Sequence, residues 1–398
     1  MAKAVVIGAG LAGLTAAIRL GEVGFNVTLL AAGYGGLPLS PGTVDVFGYA
    51  PKQVADPLQA ASEAPPPHPY AVIGAERLRS GLEWIANSLG PEFLVGAIDR
   101  NWLLPTAAGA LRPTCLAPPS MAAGQGQVDA VIGFAQLKDF PAALVAGNLG
   151  ARPVILDFPA RDAEAECSSV VYARAFDDPG FRERFAAAAR PLLRPGERVA
   201  LPAVLGSRDT HPVREVSGLL QAEVFEVATV PPSVPGLRLN AALLARARAA
   251  GVRMVNGSRA VGFSVDKDRI SAVEVAAAGS PEFLRADAFV LATGGFESQG
   301  LVMDSHGVIS EPLFGLPVAA PQAAAFAADF WADHPLLRAG VRVDSELRPV
   351  DADAGPVHSN LRAVGGVIGG ANRIRELSGD GIAIGSAWAA AESLRRMK

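Results

Sequence analysis

Between a β-branched run, Ala4-Val5-Val6-Ile7, and an apolar repeat at Leu11, Leu14 and Ile18 lies the turn Gly8-Ala9-Gly10-Leu11-Ala12-Gly13. The run suits a buried parallel strand, and the repeat has helical spacing. Gly24 stops the helix, and Asn26–Leu30 reads as a second strand. A right-handed crossover sets two such strands side by side. In a G-x-G-x-x-G turn at this place the glycines act separately. Gly8 makes the tight turn, Gly10 lets backbone approach a phosphate, and Gly13 lets helix and strand pack closely. The first helical amides then face an anion, and the helix dipole favours its charge. The other reading is an ordinary glycine-rich turn. The expected class is therefore α/β: a Rossmann-like FAD/NAD(P)-binding domain with a parallel central sheet.

One customary element is missing. The second strand of such folds usually ends in a carboxylate that bonds the adenosine ribose. Here Leu29-Leu30 run into Ala31-Ala32-Gly33. A hydrogen bond to a charged group contributes about 1.5–3 kcal/mol, so its absence weakens a dinucleotide site without abolishing it. Either a differently held adenosine or a mononucleotide remains open.

At 398 residues the chain is long for one core, which favours two domains or a large insertion. The stretch Pro65-Pro66-Pro67 interrupts regular structure, Gly74–Leu89 reads as an amphipathic helix, and a Pro-rich tract then runs to about Leu239. That tract holds strand-like runs at Pro153–Phe158 and Arg198–Leu201 and a helix near Phe181–Ala189. Asn240 is the expected N-cap of a helix ending at Ala250, with Gly251 as terminator. Strands follow at Val252–Val255, Ala260–Val265, Ile270–Val275 and Phe289–Ala292, and a last helix runs from Gly381 to about Arg395. The expected division places residues 1–95, 236–298 and 350–398 in a discontinuous cofactor-binding domain. Residues 96–235 and 299–349 form an inserted mixed α+β substrate or cap domain.

A net charge of −4 and scarce Tyr and Trp give no footprint for nucleic acid. Two cysteines, Cys115 and Cys167, cannot supply the thiolates of a usual iron–sulfur cluster or a Cys-rich zinc site. Free thiols in a reducing cytoplasm are expected. No stretch approaches the ~20 apolar residues that span a bilayer, so any membrane link comes through a partner.

Two further glycine clusters follow buried or apolar segments: Ala292-Thr293-Gly294-Gly295, and Gly365-Gly366 ahead of Gly381-Ile382-Ala383. Small residues there let a flat cofactor lie on the backbone, and the last helix is expected to aim its first amides at a flavin's pyrimidine edge. Among the five histidines, His306 and His358 flank these clusters and are the candidates for a base. Arg112 with Thr114, and Arg208 with Thr210, are the candidates for holding a substrate phosphate. For each the alternative is an ordinary solvated or structural residue, and no catalytic constellation can be read.

With these segments in order, the sequence resembles the two-dinucleotide-binding flavoproteins, and more closely the family of B-type subunits of anaerobic glycerol-3-phosphate dehydrogenases. The resemblance also rests on Leu39-Ser40-Pro41-Gly42-Thr43-Val44-Asp45, Leu104-Pro105-Thr106, Arg112-Pro113-Thr114 and Leu137-Lys138-Asp139-Phe140. Further on it includes Pro231–Gly236, Val290–Phe296 and the stretch from Gly300-Leu301 to Glu311–Leu316. It implies a flavin, with FMN usual for that family and FAD equally compatible with the fold, and it adds Ser40, Gly42, Thr43 and Val261 to the expected cofactor set. It also implies a catalytic sister flavoprotein, an iron–sulfur subunit at the inner face of the membrane, and glycerol 3-phosphate as the metabolite oxidised, with electrons passing to quinone. Two other readings stay open: a stand-alone flavin oxidoreductase of the fumarate-reductase or ketosteroid-dehydrogenase type, and a non-catalytic assembly subunit.

Overall fold

The opening βαβ forms as its pattern dictates: strand Lys3–Ile7, helix Leu11–Glu22, strand Asn26–Ala31. The computed structural model describes residues 1–276, 282–321 and 325–397. These divide into one unit of residues 1–36, 45–88 and 243–398 and another of residues 37–44 and 89–242.

In the first unit a five-stranded sheet runs in the order Arg253–Asn256, Asn26–Ala31, Lys3–Ile7, Ala288–Leu291, Leu361–Ala363. Every pairing is parallel. Numbered by their appearance in the chain, these strands lie 3-2-1-4-5, so the order reverses between Lys3–Ile7 and Ala288–Leu291. Ligands of open parallel sheets bind beyond the strands' carboxyl ends at such a reversal. The first helix and the C-terminal helix Gly379–Arg396 belong to this unit. They are joined by Arg19, which bonds Glu392 at 2.8 Å and stacks 4.2 Å from the Trp388 ring centre. Strands Ala260–Asp266, Arg269–Val275 and Glu282–Arg285 make a separate antiparallel sheet.

The second unit carries its own parallel sheet, ordered Glu223–Val227, Arg198–Pro202, Ala130–Phe134, Arg152–Leu156. Two antiparallel pairings accompany it, Trp102–Pro105 with Leu111–Thr114 and Val95–Gly96 with Leu116–Ala117. Its core is aromatic: Phe134 stacks on Tyr172 at 4.5 Å, and Phe176, Phe181 and Phe185 close round them. Burial and nearby acidic groups push the Tyr172 hydroxyl well above its usual range, so it stays protonated and donates to the Phe158 carbonyl at 2.8 Å.

Three features differ from expectation. The helix expected to begin at Asn240 begins at Val234, because Pro235 sits comfortably in a first turn and Ser233 accepts the Gly236 amide at 3.4 Å. Segment 37–44 groups with the second unit, where Gly42 packs on Pro235 and Ser233 donates its amide to the Pro38 carbonyl. Segment 299–349, expected with the cap, groups with the first unit, where Val341 bridges to Ile368.

Candidate functional site

The carboxyl ends of four neighbouring strands in the first unit deliver the glycine segments to one edge of the sheet. At the reversal point Gly8 turns with φ +112° and donates its amide to the Leu30 carbonyl at 2.8 Å. A Cβ on Gly8 would lie 2.2 Å from the Ala292 carbonyl oxygen, and one on Gly13 would lie 1.8 Å from that of Gly8. Both glycines are therefore demanded by the protein's own packing. Gly10 is different: a Cβ there would meet nothing within 4 Å. Gly10 is the N-cap, supplies no side-chain bond to the helix start, and the first turn holds no acidic residue. Amides with no internal partner beside open space are what a phosphate requires. Gly35, at φ +68°, closes over the turn, since its Cβ would lie 2.8 Å from the Gly10 Cα.

The later glycines form a floor beneath the protein's own side chains. Gly365, at φ +71°, leaves room for Ala12, whose Cβ would be 2.6 Å from a Cβ placed there. The Gly365 amide donates to Ser386 Oγ at 2.9 Å, and Ala383 flanks the same glycine. Gly294 turns at φ +79°. Gly295 and Gly366 both carry the guanidinium of Arg373 on their open faces, since a Cβ on either would lie 2.5 Å and 1.9 Å from its nitrogens. Glu297 pairs with Arg373 at 3.5 Å and also accepts the Gly295 amide. The Thr293 hydroxyl is buried and has no partner among the described residues.

Arg373 and Glu297 carry no signal that the sequence reading used. The nearest one is Asn372, which precedes Arg373 and caps the short helix Arg373–Glu376 through its side chain. That helix is held from behind by His68, which belongs to the Pro-rich stretch after Pro65 but is only 7% exposed. His68 Nδ1 accepts the Tyr70 amide at 3.1 Å, which leaves the hydrogen on Nε2 to donate to Glu376 at 3.1 Å. Burial pushes the Glu376 carboxyl up, but bonds from His68, the Asn372 amide and Ser378 outweigh it and hold the group below the usual range.

The remaining expected residues fall as follows. Ala32 and Gly33 are exposed beyond the second strand, beside the Ser258 amide that bonds Ala31. Val261 is 54% exposed on the antiparallel sheet. Gly381 does not aim its amide outward: it donates to the Asp45 carbonyl at 3.0 Å, and Tyr70 and Val46 enclose it. The Ile382 amide bonds the Ser378 carbonyl in the ordinary helical way. Ser40, Gly42 and Thr43 lie in the second unit; the Ser40 hydroxyl donates to the Leu37 carbonyl and Thr43 is buried. Arg112 and Thr114 stand on a hairpin strand of that unit, and the Thr114 hydroxyl, 1% exposed, donates to the Val44 carbonyl.

Neither candidate base reaches the floor. His358 precedes strand Leu361–Ala363, whereas Gly365 and Gly366 follow it. It therefore sits at the amino edge of the sheet, packed edge-on against Phe263 at 5.7 Å, and burial pushes its pKa down. His306 lies in an exposed turn, its amide donating to Asp304. Among the described residues no group of three or more His, Cys, Asp or Glu is placed to hold a metal ion, and no helix is long and apolar enough to cross a membrane. Cys115 and Cys167 are both buried and form no disulfide.

The residues at the sheet edge fit a flavin nucleotide: uncapped amides at Gly10–Gly13 beside open space, an orphaned Thr293 hydroxyl, and a cation. Comparison with known proteins agrees. Residues 3–382 match the FAD binding domain family. The probable B-type subunit of anaerobic glycerol-3-phosphate dehydrogenase from Halobacterium salinarum is 35% identical over 98% of this chain and 96% of that protein. The corresponding B-type subunit from Pectobacterium atrosepticum is 33% identical over 98% and 97%. A solved structure of 3-ketosteroid delta1-dehydrogenase from Sterolibacterium denitrificans aligns over 100% of both chains at 11% identity and a TM-score of 0.46.

Proposed function

Because the chain belongs to the FAD-binding domain family and, over nearly its whole length, to the family of B-type subunits of anaerobic glycerol-3-phosphate dehydrogenases, we propose that it is the flavin-bearing relay subunit of such a complex. In this reading the complex oxidises glycerol 3-phosphate to dihydroxyacetone phosphate. A sister flavoprotein removes the electrons, and this chain conveys them towards an iron–sulfur subunit at the inner face of the membrane and so to quinone. One observation supports the reading: uncapped amides beside open space at Gly10–Gly13 suit a cofactor phosphate, while the nearby carboxylate Glu297 is engaged by Arg373 and the Gly295 amide. Neither His306 nor His358 stands ready to take a hydroxyl proton there, which favours a relay role over alcohol oxidation by this chain.

We take the cofactor to be FAD rather than FMN. The family is described by FAD, and a G-x-G-x-x-G turn opening onto an uncapped helix is matched to a pyrophosphate. Gly8, Gly10, Leu11, Ala12 and Gly13 would hold that pyrophosphate through backbone amides. Ala31, Ala32 and Gly33 would leave the ribose to backbone groups. When bound, the flavin supplies two-electron storage. Gly295 and Gly366 make room for the Arg373 guanidinium, which would supply positive charge where an electron-rich ring needs it.

Denaturing the purified protein and separating the released yellow compound by chromatography should yield FAD. FMN would correct the cofactor, and a colourless protein that gains no absorbance with either would favour the assembly-subunit reading. The isolated, flavin-loaded chain should reduce a dye with glycerol 3-phosphate at a negligible rate. Brisk turnover would make it a dehydrogenase in its own right.

A further inference from the structure

We propose that the aromatic loop carrying Phe326, Phe330 and Trp331, together with Ile374, is the surface on which the electron-donating sister subunit docks; this rests on the relay reading above. Aromatic residues are only 6% of the chain, yet Phe330 and Trp331 are 78% and 79% exposed, beside Phe326 at 55% and Ile374 at 72%. The Phe330 and Trp331 rings meet edge to face at 5.1 Å.

This exposure is built, not slack. His334 accepts the Ala327 amide on Nδ1 at 3.1 Å, and its Nε2 hydrogen reaches the Phe330 carbonyl at 2.9 Å. Asp333 takes a two-pronged bond from Arg338 at 2.8 and 2.6 Å and a third from Asn372 at 2.6 Å. Arg375 donates to the Trp331 carbonyl. A loop tied this thoroughly cannot fold its rings inward, and large aromatics held in solvent beside an arginine-containing rim are the composition of a protein interface centre.

The rim chooses between classes of occupant. Three arginines, Arg338, Arg373 and Arg375, are equalled by three carboxylates: Asp333 pairs with Arg338, Glu297 with Arg373, and Asp329 lies in the loop whose Trp331 carbonyl Arg375 reaches. No lysine occurs from residue 268 to residue 397. A surface for anionic headgroups carries surplus cations; this rim is balanced, which suits a protein. Location then selects the partner. Both ties from the tail, Asn372 and Arg375, flank Arg373, whose guanidinium lies on Gly295 and Gly366 beside the proposed flavin site. A subunit seated on the loop is therefore one short helix from the ring position, and electron transfer falls steeply with distance.

The test uses the full-length, flavin-loaded chain and the purified sister flavoprotein of the same complex, with affinity measured by biolayer interferometry. The variant Phe330→Ser/Trp331→Ser should weaken binding by at least ~30-fold, as loss of an interface hot spot does. Its flavin content and thermal midpoint should stay unchanged. A control at exposed apolar positions elsewhere, Leu144→Ser/Ile155→Ser, should bind as the parent does. Equal affinity of parent and variant, or no binding by the parent, overturns the proposal. So does a loss seen only on phosphatidylglycerol–phosphatidylethanolamine vesicles, which would make the loop a membrane contact. A dimer of the chain alone that the variant dissolves would also overturn it, making the occupant a second copy. Because flavin content is read separately, a chain that docks through this loop without flavin would refute the relay reading while leaving the docking surface intact.

Discussion

Gly10 and Gly13 differ by three positions in one motif, yet the structure asks different things of them. A side chain at Gly13 meets the Gly8 carbonyl, and one at Gly10 meets no protein atom. Gly13→Val should therefore collapse the turn and yield little folded protein. Gly10→Val should melt within about 1 kcal/mol of the parent, the usual cost of a poorer N-cap, while losing at least ~10-fold in flavin affinity by fluorescence titration. Unchanged affinity would show that the phosphate lies elsewhere. Arg373 is the second residue with a sharp expectation. Replacing it with Met removes the positive charge on the floor, so the two-electron midpoint potential of the bound flavin should fall by roughly 30 mV for each ~1.4 kcal/mol of lost stabilisation. A dye-coupled spectral titration reads this directly, and an unchanged potential would mean the guanidinium does not face the ring.

Among the elements, the short helix Arg373–Glu376 shows how a plain piece of backbone acquires a role. Four residues cannot hold themselves helical; Asn372 caps the start, and His68 and Ser378 grip the Glu376 carboxylate at the end. Because the folded Glu376 pKa is lowered, its contribution is present above the ordinary carboxylate pKa and disappears as pH falls through the lowered value. Glu376→Gln should cost about 1–3 kcal/mol at neutral pH and flatten the acid limb of the stability profile measured by urea unfolding. An equally steep limb in the variant would place the acid sensitivity in another carboxylate.

The two parallel sheets bear differently on how much the sequence discloses. In the first, Ala4–Ile7, Asn26–Leu30, Val252–Val255 and Phe289–Ala292 announce four of the five strands, whereas Leu361–Ala363 is three residues long with Arg362 at its centre and reads as no strand; the order of the five is decided only by folding. The second reads mostly as a Pro-rich tract. Strand Ala130–Phe134 is interrupted by Gly133, which looks like a breaker but is needed because a Cβ there would lie 2.4 Å from the Ala142 Cβ. Close packing of helix on strand erases the pattern that would have announced it.

For the molecule as a whole, local sequence is sufficient wherever one segment does its work through its own backbone. The glycine turn, the helix it opens and the missing carboxylate at Ala31-Ala32-Gly33 are properties of contiguous residues, because φ freedom, capping and strand propensity act over a few positions. What depends on residues far apart in the chain is decided only by folding. His358 and Gly365 are close in the chain, yet a parallel strand between them sends them to opposite edges of the sheet. Gly381, expected to offer its amide to a cofactor, is consumed by the Asp45 carbonyl. His68, in a proline-rich stretch, is buried against Glu376 in the tail. Strand direction and long-range hydrogen bonding fix which edge a group faces and whether its bonding capacity is already spent, and neither quantity is carried by the residue's immediate neighbours.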